Sequence, residues 1–148
     1  MAVPYKIVVD CADPHLLAEF WAVALDYVVE DHSNLIKRLL DAGTINEEHA
    51  KTVDGRLVWA TAAAVRDPDA TVREDGIGLG GRVLFQVVPE PKTVKNRVHL
   101  DLHVGLERRP EVIERLVGLG GSVLWEGREG SGTWVTMADP EGNEFCVA

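Results

Sequence analysis

The sequence predicts an α+β domain built from two similar halves, each reading strand, helix, strands. Tyr5–Asp10 and Arg97–Val104 are short runs of β-branched or alternating apolar residues, and each is followed by an apolar helical stripe. Each half then closes in further short strand-like runs. The 148 residues are 46% apolar and 26% charged, the composition of one ordered globular domain, 1–148, rather than of a disordered chain.

In the first half, Asp13-Pro14 is a helix start: Asp serves as N-cap, and Pro suits the first helical position because its missing N–H would have no partner there. Leu16, Leu17, Phe20, Val23 and Ala24 then fall on one face. In the second half the helix is expected from about Arg109 to Leu119. Val112, Ile113, Leu116 and Leu119 line one side, and Gly120 stops it. Strands are expected over Ser122–Glu126, Thr133–Ala138 and Asn143–Val147. Asp139-Pro-Glu-Gly142, between the last two, reads as a turn, since Pro presets φ and Gly accepts positive φ.

The first half is the longer. Its excess lies between Glu30 and Arg56 and has its own stripe, Leu35, Ile36, Leu39 and Leu40, with Ser33 as expected cap and Gly43 as stop. Thr44-Ile-Asn-Glu47 has the form of a capping box. This predicts a helical insertion over about 31–56 inside a first module of about 5–88, with the second module over about 97–148. Strands resume at Leu57–Val65 and Arg82–Val88. Gly76-Ile-Gly78-Leu-Gly80-Gly81 satisfies GxGxxG, but a dinucleotide fingerprint follows a strand and opens a helix. Here the glycines precede a strand, so the segment reads as a flexible loop.

The net charge of −9 argues against nucleic acid or an anionic membrane as partner, because both need a basic face. No run approaches the ~18 apolar residues of a membrane span, and the first residues lack the apolar core of a secretory signal. Cys11 and Cys146 form no CxxC pattern, which excludes a zinc ribbon and points to a reducing, cytoplasmic setting. Strand parity puts them on opposite faces, so both thiols are expected to be free.

Alternation locates the polar groups. In Arg97–Val104, Val98, Leu100, Leu102 and Val104 share one face, and His99, Asp101 and His103 share the other. Gln86 interrupts an apolar strand. Lys6, Val8 and Asp10 oppose Ile7 and Val9, and Glu144 and Cys146 oppose Phe145 and Val147. Four strands thus pair an apolar face with a mixed one. Curling such a sheet creates a cleft with few polar groups on apolar walls, the form of a small-molecule site. Trp125 and Trp134 are available as aromatic walls.

The two strand–helix–strands halves, Asp13-Pro14, the stretch Val94-Lys-Asn-Arg-Val-His99-Leu-Asp-Leu and the ending Asp139-Pro-Glu-Gly-Asn-Glu-Phe145 together resemble the vicinal oxygen chelate superfamily, and within it the glyoxalase-like domain proteins. The resemblance implies two βαβββ modules forming an open U-shaped mixed sheet around a cleft, usually in a homodimer. It also implies ligand positions at Lys6, Gln86, His99 and Cys146. Metal-dependent members place His, Glu or Gln there. A protonated Lys6 has no lone pair, and Cys146 must first lose a proton, so no divalent metal is expected.

The expected function is that of a glyoxalase-like small-molecule enzyme. His99 is the candidate base, and Lys6, Gln86, Asp101, His103, Trp134, Glu144 and Cys146 are candidate ligand-binding residues. The alternative is a non-catalytic protein that sequesters a small molecule in the same cleft.

Overall fold

The computed structural model describes residues 1–148. In chain order the elements are β1 (Ile7–Cys11), α1 (Pro14–Leu25), β2 (Val28–Val29), α2 (Ser33–Asp41), a 3₁₀ turn (Glu47–His49), β3 (Ala50–Val53), β4 (Arg56–Trp59), β5 (Ala62–Arg66), β6 (Arg82–Val87), β7 (Asp101–Leu102), α3 (Arg109–Gly118), β8 (Ser122–Glu129), β9 (Gly132–Ala138) and β10 (Glu144–Val147). Two four-stranded sheets share one plan, β1-β6-β5-β2 and β7-β10-β9-β8. In each, the first strand runs parallel to the last and the other pairs are antiparallel. The predicted pair of βαβββ modules is present.

The run Leu57–Val65 is two strands, not one. β4 pairs with β3, whereas β5 pairs with β6 and β2, so the segment interrupting the first module continues to Thr61. The capping chemistry also differs from expectation. The Asp31 carboxylate, not Ser33, takes a backbone N–H at the start of α2, that of Ser33 at 2.9 Å. The capping box joins Asn46 and His49 rather than Thr44 and Glu47. β7 is shorter than the predicted Arg97–Val104 strand, and Val98 is 86% exposed. Its ladder partner β10 starts only at Glu144, which is the register counterpart of His99, so residues before His99 have no neighbouring strand.

α1 binds the modules together. Asp13 caps it, accepting the Leu16 N–H at 3.1 Å. Leu17 and Ala18 are buried in one core with Val65, Val83 and Phe85 of the first sheet. Phe20 and Trp21 stand edge-on to Phe145 of β10, with ring centroids 5.9 and 5.0 Å away. Val135, Met137, Phe145 and Val147 of the second sheet and Leu116 of α3 complete that core. Burying each large apolar side chain contributes roughly 1.5–3 kcal/mol. Cys11 lies in this core, and both cysteines are free, as parity required. Burial, with acidic neighbours led by Glu141, pushes the Cys11 thiol up to about 12.

A turn clasps the modules. Asp139 is 3% exposed. Its Oδ2 accepts the Trp21 indole N–H at 3.0 Å, and its Oδ1 accepts the backbone N–H groups of Glu141 and Asn143 at 2.9 and 3.0 Å. The Glu141 carboxylate accepts the N–H groups of Ala12 and Asp13, leading into α1, at 2.7 and 2.8 Å. Gly142, at φ 87°, takes the left-handed conformation that an L side chain resists.

A second buried carboxylate organises the first module. The Glu30 side chain is fully buried and accepts Arg82 Nε and Nη2, His32 Nε2 and the Gly78 N–H, all within 3.0 Å. His32 Nδ1 accepts the Trp59 indole N–H at 2.9 Å, so the ring proton sits on Nε2, facing Glu30. Burial pushes this carboxyl up, but the hydrogen bonds from His32, Arg82 and Gly78 and the Arg82 charge outweigh it and hold it at about 2. The insertion, β6 and the glycine-rich segment therefore meet at one group. That segment is packed down rather than free. A Cβ on Gly78 would lie 2.9 Å from Arg66 Cδ, and one on Gly76 would lie 2.6 Å from the Asp31 carbonyl oxygen.

Glu30 titrates near 4.5 when unfolded and about 2 when folded. Its contribution to stability is therefore complete above pH 4.5 and is lost as pH falls from there toward 2. Glu30→Gln is expected to lower stability at pH 7 and to flatten the acid limb of urea unfolding over that window. An acid limb unchanged by the substitution contradicts the assignment.

Candidate functional site

Register builds the site on the second sheet. Asp101 of β7, Cys146 of β10, Thr136 of β9 and Trp125 of β8 pair in one row across four strands. Phe145, Met137 and Val135, of opposite parity, enter the core. Beside that row Gly127 pairs with Trp134. His99 precedes β7, and its Nδ1 lies 2.9 Å from Asp101 Oδ1. A cavity of about 380 Å³ lies over this face, lined by Lys95, His99, Asp101, Trp125, Trp134 and Cys146 among others.

A carboxylate only accepts, so the His99 proton in this pair sits on Nδ1 and is donated to Asp101. The lone pair of Nε2 is then free, which is the state of an imidazole base. Cys146 is a weaker reagent. Burial raises its thiol pKa and, despite the neighbouring Thr136 hydroxyl at 3.5 Å, the net shift stays upward, keeping it a neutral thiol near pH 7.

Glu144 lines the same cavity but is already engaged. Burial pushes its carboxyl up, yet the Asn96 N–H at 2.9 Å and the Lys92 ammonium at 3.1 Å hold it below the usual range. Glu144 and Lys92 thereby fasten the inter-module connector to β10.

Five of the candidate residues, His99, Asp101, Trp134, Glu144 and Cys146, share one cavity. Three do not. Lys6 and Gln86 line neither of the cavities that contain His99. Gln86 instead donates to Asp10 Oδ1 at 3.1 Å on the exposed face of the first sheet. His103 lies beside Asp26 and Arg108 in a separate cavity near the end of α1. Lys6 and Gln86 therefore do not join His99 and Cys146 in one cavity of the chain, although Asp10 of β1 shares a groove with His99. A groove of about 670 Å³ separates β1 from the connector and is floored by Trp21 and Phe85.

Thr136, which lines the cavity, and Gly127, which lies against the Trp134 indole, were missed by sequence reasoning. The sequence signal for Gly127 is a glycine inside a strand, which marks close approach by another group.

The ligand atoms of His99, Asp101 and Cys146 lie within 4.8 Å of one another, but they do not fit the divalent ion of metal-dependent vicinal oxygen chelate enzymes. Lys6 and Gln86 are not among the groups that line the His99 cavity, and the Cys146 thiol, whose pKa is raised by burial, would have to lose a proton before it could ligate.

Two mixed-sheet βαβββ modules of this order define the vicinal oxygen chelate fold, and comparison with known proteins agrees. Residues 6–148 match the family described as "Glyoxalase-like domain", and the chain belongs to that family. Among solved structures, it is similar to hypothetical protein SA1046 from S. aureus (14% identity, TM-score 0.61), covering 99% of this chain and 93% of that one. It is also similar to the fosfomycin resistance protein FosX from Mesorhizobium loti (11% identity, TM-score 0.61, 99% and 90% covered). A glyoxalase/bleomycin resistance protein/dioxygenase family enzyme from Burkholderia phytofirmans PsJN aligns at 11% identity and TM-score 0.57 over 96% and 94% of the two chains. At these identities the likeness is one of fold. No curated protein matches the chain.

Elemental analysis after dialysis is expected to find well under one divalent metal per chain. One tightly held ion per chain, lost in His99→Ala, contradicts the misfit of the donor set.

Proposed function

We propose that the chain is a glyoxalase-like enzyme acting on a small molecule, with His99 as proton-transferring base and Asp101 as the residue that positions it. The supporting observation is the 2.9 Å His99–Asp101 hydrogen bond, which leaves Nε2 free at a cavity with two indoles in its wall. Asp101 keeps the proton on Nδ1 and stabilises the imidazolium formed when Nε2 takes a proton, the orienting role of a carboxylate behind a catalytic histidine. No metal-dependent step belongs to this reading.

The family likeness suggests a homodimer. Lys6, just before β1, joins Asp10 of β1 and Gln86 of β6 in an exposed polar patch. A second copy setting this patch at the His99 end of the cavity would bring Lys6 and Gln86 to His99 and Cys146, which one chain already holds together.

A sequestering role without turnover is the second reading, favoured by Trp125 and Trp134 and by the fold likeness to fosfomycin resistance proteins.

The test is a turnover screen over carbonyl, thiol-adduct and catechol substrates, with light scattering on the same preparations. Turnover is expected from a dimer. It should be abolished in His99→Ala and reduced about 10²–10⁴-fold in Asp101→Asn, by loss of proton transfer or of its orientation. Turnover surviving His99→Ala refutes the base, and tight binding without turnover selects sequestration. Full activity from a monomer refutes completion by a second copy.

A further inference from the structure

The four tryptophans divide into two kinds. Trp21 gives its indole N–H to Asp139 and Trp59 gives its own to His32, so both are tied into the structure. Trp125 and Trp134 donate to no group in the chain, both line the His99 cavity, and Trp125 is 47% exposed.

Trp134 is held flat by what lies beneath it. A Cβ on Gly127 would fall 2.1 Å from Trp134 Cε2 and 2.3 Å from Cζ2 and Nε1. The indole therefore occupies the space where any other residue at 127 would place its side chain. Glycine inside a strand forgoes packing and costs conformational entropy, and here the return is an aromatic face lying against the sheet at full register. The polar groups lie to one side. Trp134 sits on β9 and Asp101 on β7, two strands away across β10, which is roughly 10 Å at the usual strand spacing.

We propose that this face selects a planar aromatic ligand of about two fused rings, laid on the Trp134 indole with a hydroxyl or similar group directed to His99. This rests on the reading of the cavity as the ligand site and adds the class of ligand. The indole contributes dispersion to any apolar group, but its quadrupole favours an offset or edge-on aromatic ring over a saturated one. Gly127 and Trp134 are then specificity determinants, and His99 acts on whatever polar group the ring carries.

The experiment measures binding of 2-naphthol and its saturated counterpart, decahydro-2-naphthol, to the full chain by calorimetry. The wild type is expected to bind the aromatic probe about three- to tenfold more tightly. Trp134→Leu retains an apolar surface and should erase that preference. Gly127→Ala, which displaces the indole, should do the same while circular dichroism reports an intact fold. His99→Ala should keep the ring preference while losing turnover, which separates failure of the ring proposal from failure of the base. Equal affinities in the wild type, no binding of either probe, or a preference that survives Trp134→Leu overturns the proposal. So does burial of Trp125 and Trp134 by a second copy in the ligand-free protein.

Discussion

One buried carboxylate holds the two modules in register. Asp139 takes the indole N–H of Trp21 from α1 and closes its own turn with the N–H groups of Glu141 and Asn143. Burying a charge without partners is costly, whereas one whose lone pairs are all used can be retained. Its neighbour Glu141 occupies the two N–H groups leading into α1. Helix α1 is thereby pinned against Phe145, and β10 is placed. Cys146 and Glu144 take their positions on β10, and through Glu144 the connector to His99 is placed as well. The geometry of the candidate site thus traces back to the turn that leads into β10.

Two copies of the same topology have taken different roles. In the first module the edge of the mixed face is closed by the Glu30–Arg82–His32 network, the insertion and the packed glycine segment. Its remaining polar patch, Lys6, Asp10 and Gln86, is exposed, and Asp10 lines the groove that also reaches His99. In the second module no insertion follows the helix, and the mixed face stays open as a cavity with an imidazole at one end and indoles at the other. His99, the proposed base, lies where no insertion covers the sheet.

Much of this was legible in the sequence. Strand alternation assigned His99, Asp101, Glu144 and Cys146 to one face, and the helical stripes assigned Phe20 and Leu116 to the core, because both periodicities are local. Asp13-Pro14 and the Asp139–Gly142 turn were legible for the same reason. The placement of one sheet against the other was not, and so Lys6 and Gln86 were expected beside His99 and are not there. His103 followed the correct parity but lies beyond the end of a strand shorter than its pattern suggested. Glu30 carried no local signal, since its partners come from positions 32, 78 and 82, which only the folded chain brings together. The GxGxxG segment, expected to be a flexible loop, is instead packed down, with Gly76 and Gly78 lying close against Asp31 and Arg66.

The central claim is that His99 presents a free Nε2 because Asp101 holds the proton on Nδ1. The ¹⁵N chemical shifts of the His99 ring in the neutral form measure this directly. The account predicts a protonated, pyrrole-like Nδ1 and an unprotonated, pyridine-like Nε2, with the preference reduced in Asp101→Asn. The opposite tautomer, or an even mixture indifferent to Asp101, would contradict it.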